Sequence, residues 1–255
     1  MEKDLISAGI FLRALLPLLE KICSFDEEAK EIIKGWNLSL MLHFPGEGTT
    51  LFFKDGRLKV RREKVLLPSI ALYFTSPAKV VKMMFGEKVI PLPWWGIWRI
   101  SVLKNFEPLA KKIEKYLQAD EEFIKDEKNL RFVVSLYLNL ILYGVKEVGE
   151  KEEKADKIIS NTPDGVLQIN VLPDGPYGYL QIREGRIYPG EGKWEGKVNA
   201  FMEFASLKAA YELFTRRLDG STGIGLLKIR IRGNIPLVEV LDDILGKLPK
   251  YLPQV

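Results

Sequence analysis

The sequence predicts an α+β fold of two domains, each with a mostly antiparallel five-stranded sheet and helices packed on one face. Three observations predict this fold. The 255-residue chain repeats its landmarks once, its strands alternate apolar and polar residues, and short glycine turns separate those strands. A chain of this length is typical of about two domains, and strands with one apolar side favour a sheet covered on one face.

The repeat places equivalent segments about 129 residues apart. The turn of "KDGRLKV" contains Gly56 and that of "REGRIYP" contains Gly185, a separation of 129 positions (185 − 56). "GIWRISVLKN" and "GLLKIRIRGN" keep the same order and the same offset. This period is far longer than the roughly 20–50 residues of solenoid repeats, so the repeated unit is a whole domain. We therefore predict one domain over 1–120 and a second over 121–255.

In the first copy, the helical region is followed by three strands, a crossover and two strand–helix pairs. Ser76 is placed to cap a helix whose first position is Pro77. The tight "KDG" turn joins two of the strands. The predicted elements are helix 4–33, strands 37–44, 49–54, 57–62 and 69–75, helix 77–85, strand 97–103 and helix 106–118, with a link over 119–129.

The second copy shows the same order with clearer alternation. In its last strand, Leu227, Ile229 and Ile231 are predicted to face inward, because they alternate with basic residues. Ser206 is the predicted cap of the helix after the crossover. The predicted elements are helix 130–160, strands 166–171, 177–182 and 198–204, helix 207–217, strand 225–233 and helix 235–248.

The composition favours a soluble globular protein and excludes several classes. A hydrophobic fraction of 47 % permits a real core, and a net charge of +4 with interspersed acids does not indicate nucleic-acid binding. The single cysteine, Cys23, indicates a reducing compartment. The N-terminus lacks a signal-peptide pattern, and the apolar run at 132–145 is typical of a buried helix. We expect a cytoplasmic protein, and abundant Lys and Glu are typical of a thermophile.

The order of elements resembles the sterol carrier protein type-two (SCP-2) family. The resemblance rests on "GLLKIRIRGNIPLVEVLDDIL", which runs from the last strand into the last helix, and on the hairpins "KDGRLKV" and "REGRIYP". It covers roughly 35–118 and 165–250, so it implies two tandem copies. The family implies an apolar tunnel between sheet and helices for a fatty acid, acyl-CoA, sterol or isoprenoid. It implies neither catalytic residues nor a cofactor.

Several residues are candidates for contact with a lipid ligand. Adaptable methionines suit a promiscuous apolar pocket, and aromatic residues suit its mouth. A basic stripe on the last strand is a candidate for an anionic headgroup, although it is also typical of a solvated sheet face. The apolar candidates are Met83, Met84, Trp94, Trp95, Trp98, Tyr211, Phe214 and Leu227, and the basic candidates are Lys228, Arg230 and Arg232.

The segment "PLPWWGIW" at 91–98 has two interpretations. Its three tryptophans form a buried aromatic plug, under a loop or between domains, or they form a pocket mouth or a transient contact with a membrane. If both tunnels are filled by side chains, the cluster from Trp94 to Trp98 is instead the interface of a structural or protein-interaction module.

The remaining reactive residue types do not indicate an enzyme or a metal site. His43 is the only histidine and has no nucleophile or orienting acid nearby in sequence, so a surface or satisfied histidine is expected. Cys23 is expected to be a small buried hydrophobe. "DGSTGIG" at 219–225 lacks the spacing of a phosphate loop and is predicted to be a flexible loop. A thioesterase or acyltransferase would need a nucleophile with its base, which no spacing singles out.

Overall fold

The computed structural model describes residues 2–96, 104 and 106–252, and the chain divides into two units. The first unit comprises Met1–Tyr116 with Tyr251–Val255, and the second comprises Leu117–Lys250. Each unit contains one five-stranded sheet with helices. The α+β class expected from the alternating strands is therefore present in both units.

The first unit begins with helices and ends with one. A π-helical turn over Phe11–Leu15 continues the first helix, and Asp26 caps the third. Its elements are α1 Glu2–Ile10, α2 Leu18–Phe25, α3 Glu27–Ile33, β1 Leu38–Phe44, β2 Glu47–Lys54, β3 Arg57–Arg61, β4 Ile70–Tyr73, α4 Pro77–Met84, β5 Leu92–Trp95 and α5 Phe106–Leu117. The strand expected at 97–103 lies outside the described residues.

The second unit is built around one long helix. A short 3-10 turn precedes that helix and another closes the unit. The elements are α6 Glu127–Lys151, α7 Glu153–Ser160, β6 Gly165–Val171, β7 Tyr177–Arg183, β8 Arg186–Glu191, β9 Ala200–Phe204, α8 Leu207–Phe214, α9 Gly220–Gly225, β10 Ile229–Gly233 and α10 Ile235–Lys247.

Both sheets have the same strand order. Numbered within each unit, it is third, second, first, fourth, fifth: β3-β2-β1-β4-β5 and β8-β7-β6-β9-β10. The sheets are mixed, because β1 pairs with β4 and β6 with β9 in parallel. The prediction of mostly antiparallel sheets is wrong in this respect. The crossover after the third strand carries the chain past two strands, so the fourth strand enters from the same end as the first.

The repeated glycine triplets form the same turn in both units. Asp55 and Gly56 have φ values of 51° and 68°, and Glu184 and Gly185 have the same two values. Two successive residues with positive φ give a turn whose twist suits antiparallel strands. The turns join β2 to β3 and β7 to β8, so their predicted role as hairpin turns is confirmed.

The apolar positions of the strands face the helices in the first unit. Leu40 lies opposite Leu51 on one side and Ile70 on the other, and all three are buried. Thr49 shares their face and donates from Oγ1 to the carbonyl of Leu12 at 2.7 Å. The N-terminal helical region therefore covers this face of the sheet. We call the helix-covered face of each sheet the inner face and the opposite one the outer face.

Helix α6 forms the core of the second unit. It is long and apolar enough to cross a membrane by length and composition, but 78 % of its most apolar window is buried inside the protein. Leu138 and Leu142 are among its buried residues and pack toward β7. The buried helix expected at 132–145 is therefore confirmed.

Three local predictions differ from the structure in the second half of each repeat. Residues 220–225 form helix α9, because the Asp219 side chain accepts a hydrogen bond from the backbone N–H of Thr222 at 2.9 Å. The predicted flexible loop is therefore wrong. Ser206 caps α8 as predicted by accepting from Ala209 N–H at 3.2 Å, whereas the side chain of Ser76 makes no cap bond to α4. Helix α8 also ends at Phe214, earlier than predicted.

Candidate functional site

The inner face of the second sheet is incompletely covered at one edge. Met202 of β9 lies opposite Ile231 of β10, and both side chains are only half-buried. Farther into the sheet, the inner-face residues Leu167 and Ile169 are fully buried. Exposed apolar residues also precede and follow β10. We define the second apolar patch as Met202, Ile224, Leu226, Leu227, Ile231 and Ile235.

Helix α8 places aromatic side chains beside the inner end of β9. The ring of Phe214 lies 5.2 Å from that of Phe204 in an edge-to-face arrangement. Tyr211 is buried, and its ring lies 6.4 Å from that of Tyr137 on α6. Of the residues predicted to contact lipid, Tyr211 and Phe214 therefore lie on one helix against the sheet.

Elsewhere the sheet and α6 are in close contact. A Cβ atom added to Gly178 of β7 would lie 2.6 Å from Leu142 Cδ1 on α6. A Cβ added to Gly149 of α6 would lie 2.5 Å from Ile187 Cδ1 on β8. These glycines let the helix approach the strands directly. Space for a ligand in this unit is therefore expected at the β9–β10 edge rather than under α6.

The first unit has exposed apolar residues at the equivalent edge. Met83 and Met84 are half-buried at the end of α4, whereas Val80 of the same helix is fully buried. Trp94 and Trp95 on β5 are 73 % and 54 % exposed. Trp98 lies outside the described residues. The interpretation of a buried aromatic plug is therefore wrong for Trp94 and Trp95 within the first unit.

Leu227 does not lie in the last strand as predicted. Its φ is 56° and its side chain is 83 % exposed, because β10 begins only at Ile229. The backbone N–H of Leu227 instead bonds the carbonyl of Ile224, so it ends the turn of α9. The inward position assigned to it from alternation is wrong, although it lies within the second apolar patch.

The basic stripe is engaged in ion pairs. Lys228 Nζ lies 2.6 Å from Glu212 Oε2, and Arg232 lies 2.8 Å from Glu203. Arg230 lies opposite Glu203 on the outer face. Hydrogen bonds from Arg232, opposed by burial and helped by the charges of Arg232 and Arg230, lower the pKa of Glu203. Arg230 and Arg232 thus belong to the sheet surface away from the helices, whereas Lys228 pairs with a residue of helix α8.

A groove of about 320 Å³ lies on the outer side of the second sheet. Val166, Gln181 and Trp194 contribute to its walls, together with Arg183 and Lys197. Val166 and Gln181 lie opposite each other on strands β6 and β7. This groove lies on the face opposite the inner-face patch, and its lining is mixed, with Arg183, Lys197 and Asp164 beside apolar groups.

His43 and Cys23 lack the surroundings of catalytic groups. Burial, and secondarily the charge of Lys64, lower the pKa of His43. His43 is half-buried, and its buried Nε2 has no hydrogen-bond partner among the described residues, so the expectation of a surface or satisfied histidine is wrong. Its ring packs at 5.0 Å from that of Tyr73. Burial raises the pKa of Cys23 to about 12, assisted by the charge of Asp26. A thiol in this state is not a nucleophile at neutral pH.

Within the described ranges, no group of three or more His, Cys, Asp or Glu side chains is placed to hold a metal ion. The ionisable groups of the first unit instead form a structural cluster on its helices. Lys112 lies 2.9 Å from Asp26, and 2.7 Å from Glu28. Tyr116 also donates a hydrogen bond to Asp26. This cluster ties α5 to the start of α3.

No protein-family model matches the sequence, and comparison with curated proteins finds no match. Parts of the chain are similar to solved sterol carrier protein domains. A UbiJ-SCP2 ubiquinone synthesis protein is 14 % identical over 45 % of this chain and 96 % of its own, with a TM-score of 0.36.

Two further solved structures are similar to this chain with comparable coverage and TM-scores. Sterol carrier protein domain 2 of Helicoverpa armigera is 17 % identical over 47 % of this chain and 93 % of its own, with a TM-score of 0.36. Sterol carrier protein 2 from Yarrowia lipolytica is 16 % identical over 43 % and 94 %, with a TM-score of 0.34. Each covers less than half of this chain, and at these scores no ligand or activity is inferred from them.

Several apolar residues of these surfaces were not among the predicted lipid contacts. Leu66 and Leu67 lie in the crossover of the first unit, and Met202 and Ile231 lie on the inner face of the second sheet. The run "VLLP" at 65–68 could have indicated the exposed leucines. It lies in a connection and ends in a proline, so strand alternation does not bury its two leucines. Met202 and Ile231 gave no such signal, since their exposure depends on how far the helices reach.

Proposed function

We propose that this chain binds an apolar lipid without catalysing a reaction, in space between a sheet and its helices. The ligand class is a fatty acid, fatty acyl-CoA, sterol or isoprenoid. The observation that carries this proposal is the half-buried pair of Met202 and Ile231 on the inner face. These apolar side chains point toward the helices and are nevertheless only partly covered by them.

The physical argument for lipid binding is the removal of this surface from water. Each Å² of apolar surface buried contributes about 25 cal/mol, so a ligand that covers such an edge gains affinity without many polar contacts. Pockets for apolar ligands are lined mainly by apolar and aromatic groups with few polar ones. Phe214 and the exposed Leu226 and Leu227 supply the remainder of such a lining.

We further propose that the chain contains two tandem SCP-2-like domains derived by duplication, over 1–120 and 121–255. The identical strand order and the identical hairpin turns support this proposal. In the first domain, Met83, Met84, Trp94, Trp95 and Trp98 are the proposed lipid contacts. In the second, Tyr211, Phe214 and Leu227 are the corresponding ones.

Of the three basic residues, Lys228 is the one we propose for contact with an anionic headgroup. It precedes β10 directly after Leu227, so it borders the second apolar patch. Arg230 and Arg232 face the opposite side of the sheet beside Glu203. A headgroup at Lys228 would replace its present ion pair with Glu212.

The test is a binding measurement on two neighbouring substitutions in β9. Met202→Gln places an amide on the inner face, whereas Phe201→Gln changes the adjacent half-buried residue on the outer face. We expect displacement of a fluorescent fatty acid to show at least about tenfold weaker binding for Met202→Gln, as expected for a polar group in an apolar lining. Phe201→Gln should bind as the parent does. Equal affinities would remove the inner face from the binding site.

A structural or protein-interaction module is the second candidate, and the close packing at Gly178 and Gly149 favours it. If α6 and the sheet leave no space for a ligand anywhere, the chain will bind none of the four lipid classes. In that case the exposed tryptophans of the first unit would be the surface to test with protein partners.

A further inference from the structure

The crossover of the first unit is held at both ends and exposes its middle. Thr50 Oγ1 donates to the carbonyl of Glu63 at 2.9 Å, which holds the beginning of the connection against the outer face. Ser69 N–H donates to Ser39 Oγ at 2.8 Å at the other end. Between them, Leu66 and Leu67 are 99 % and 88 % exposed. Large apolar side chains that are exposed on a connection fixed at both ends are typical of an interaction surface.

The exposed side chains of β5 adjoin this connection. A Cβ atom on Gly96 would lie 2.1 Å from the carbonyl oxygen of Ser69, so the end of β5 and the end of the crossover are in contact. Trp95 pairs with Ala71 of β4, two residues beyond Ser69. We define the apolar rim as Leu66, Leu67, Ile90, Leu92, Trp94 and Trp95.

The chain around the rim is strongly basic. Residues 54–95 contain nine Lys or Arg and three Asp or Glu, a net charge of +6 (9 − 3). The whole chain carries +4, so all other residues together carry −2 (4 − 6). Positive charge is therefore concentrated in the segment that also bears the rim. Clustered Lys and Arg beside exposed apolar residues are attracted to anionic lipid surfaces.

The composition of β5 argues against a partner strand. Among the strands that the structure describes, β5 is the edge of its sheet, and it contains Pro93, with Pro91 immediately before it. Proline has no backbone N–H to donate, so an added strand from another protein or a second copy would lack bonds at these positions. Tryptophan, by contrast, is enriched where an apolar layer meets water.

The second unit provides an internal comparison. Trp194 in its crossover turns back onto the sheet, where its ring lies 4.9 Å from that of Tyr179 and its backbone N–H bonds Gln168 at 2.7 Å. The positions 130 residues after Leu66 and Leu67 are Gly196 and Lys197. The equivalent connection of the second unit therefore has no exposed leucines, and the apolar rim is a feature of the first unit only.

We propose that the apolar rim inserts into the surface of an anionic phospholipid bilayer, with the basic residues of 54–95 among the headgroups. The rim lies at the surface as a wedge and does not span the bilayer. This attachment would bring the first unit to a membrane whether or not either unit carries a lipid. Its failure and the failure of lipid binding are therefore separate outcomes.

The experiment is flotation of the full chain with phosphatidylcholine vesicles, with and without phosphatidylserine. We expect co-flotation that requires phosphatidylserine and weakens at high salt, because the basic segment is attracted to negative headgroups. The double variant Leu66→Ser with Leu67→Ser should bind at least about tenfold more weakly, since both side chains lose their apolar contacts. Both residues are so exposed that the variant should keep the parent's unfolding midpoint.

Tryptophan fluorescence supplies the matched control. Adding the anionic vesicles should shift the emission to the blue as indoles enter the apolar layer. Trp94→Phe should reduce this shift, whereas Trp36→Phe should not, because Trp36 is buried against Phe53. Equal binding by the parent and the double leucine variant would overturn the proposal. An absence of flotation would also overturn it, and dimerisation or capture of a protein partner through the rim would then identify a protein interface instead.

Discussion

Asp26 is the acceptor at the centre of a buried polar cluster in the first unit. It caps α3 by accepting from Ala29 N–H at 2.8 Å, and it accepts from Lys112 and Tyr116 of α5. The side chains of Asp26 and Lys112 are 7 % and 6 % exposed. A buried ion pair contributes little net stability when complete, but removing one partner leaves an uncompensated charge. The cluster therefore makes the position of α5 depend on one lysine.

Lys112→Met should destabilise the protein by about 3 kcal/mol, because it leaves Asp26 buried without its cation. Lys111→Met is the matched control on the same helix. Lys111 is an exposed partner of Glu107 at 2.8 Å, so its loss should leave the stability nearly unchanged. Urea unfolding of the two variants measures the difference. Equal midpoints would contradict a structural role for the Asp26 cluster.

The same cluster predicts a dependence of stability on acid. Burial alone would raise the pKa of Asp26, but hydrogen bonds from Tyr116, Ala29 and Lys112 outweigh burial and hold it below the ordinary value of 3.8. A carboxyl with a lowered folded pKa stabilises the protein above its unfolded pKa. This contribution is lost as the pH falls below 3.8 and through the folded value.

Tyr116→Phe should weaken this acid dependence. The variant removes one hydrogen bond that lowers the pKa of Asp26, so the folded and unfolded values move closer together. The unfolding free energy, measured from neutral pH to below 3.8, should then fall less on acidification than in the parent. Parallel curves for parent and variant would show that Tyr116 does not set the pKa of Asp26.

At this scale, sequence reasoning recognised single residues better than clusters. The burial of Cys23 follows from residue type and neighbouring residues, whereas the buried and unpartnered Nε2 of His43 does not. The Asp26 cluster joins residues 86 positions apart, so no local pattern indicated it. The exposure of Met202 likewise depends on packing that one sequence does not encode locally.

At the scale of elements, glycines set the distance between α6 and its sheet. Gly178→Ala would place a methyl group 2.6 Å from Leu142 Cδ1 and 3.4 Å from Leu138 Cδ2. We expect destabilisation of about 1–3 kcal/mol from this overpacking, measured by urea unfolding. Gly246→Ala on α10 is the control, since nothing lies within 4 Å of its Cβ position. That change should stabilise by up to about 1 kcal/mol, and destabilisation there would contradict the packing argument.

Elements with strong periodicity or a specific turn were predictable. The hairpin turns required positive φ, and Gly56 and Gly185 supplied it at the expected positions. Helix α9 was not predicted, because three glycines in "GSTGIG" oppose a helix and only the Asp219 cap favours it. Strand β10 was predicted too long, since "GLLK" continues its alternation although Leu227 ends a helical turn.

For the whole molecule, the internal repeat was the most informative feature of the sequence. Segments about 129 residues apart predicted two units of one architecture, and both sheets have the same strand order. The parallel pairs were not predicted, because a crossover's path across the sheet leaves no residue pattern. The two halves differ in their exposed surfaces, since the apolar rim has no counterpart at Gly196 and Lys197.

The central claim is that the chain holds a lipid, and native mass spectrometry tests it most directly. The protein would be purified from a lipid-rich host, weighed intact, and then extracted with solvent to identify what it carried. We predict a stoichiometric apolar ligand in the parent and in Phe201→Gln, and its loss from Met202→Gln in a folded state. A protein that emerges empty and also binds no fatty acid, acyl-CoA, sterol or isoprenoid would contradict the claim.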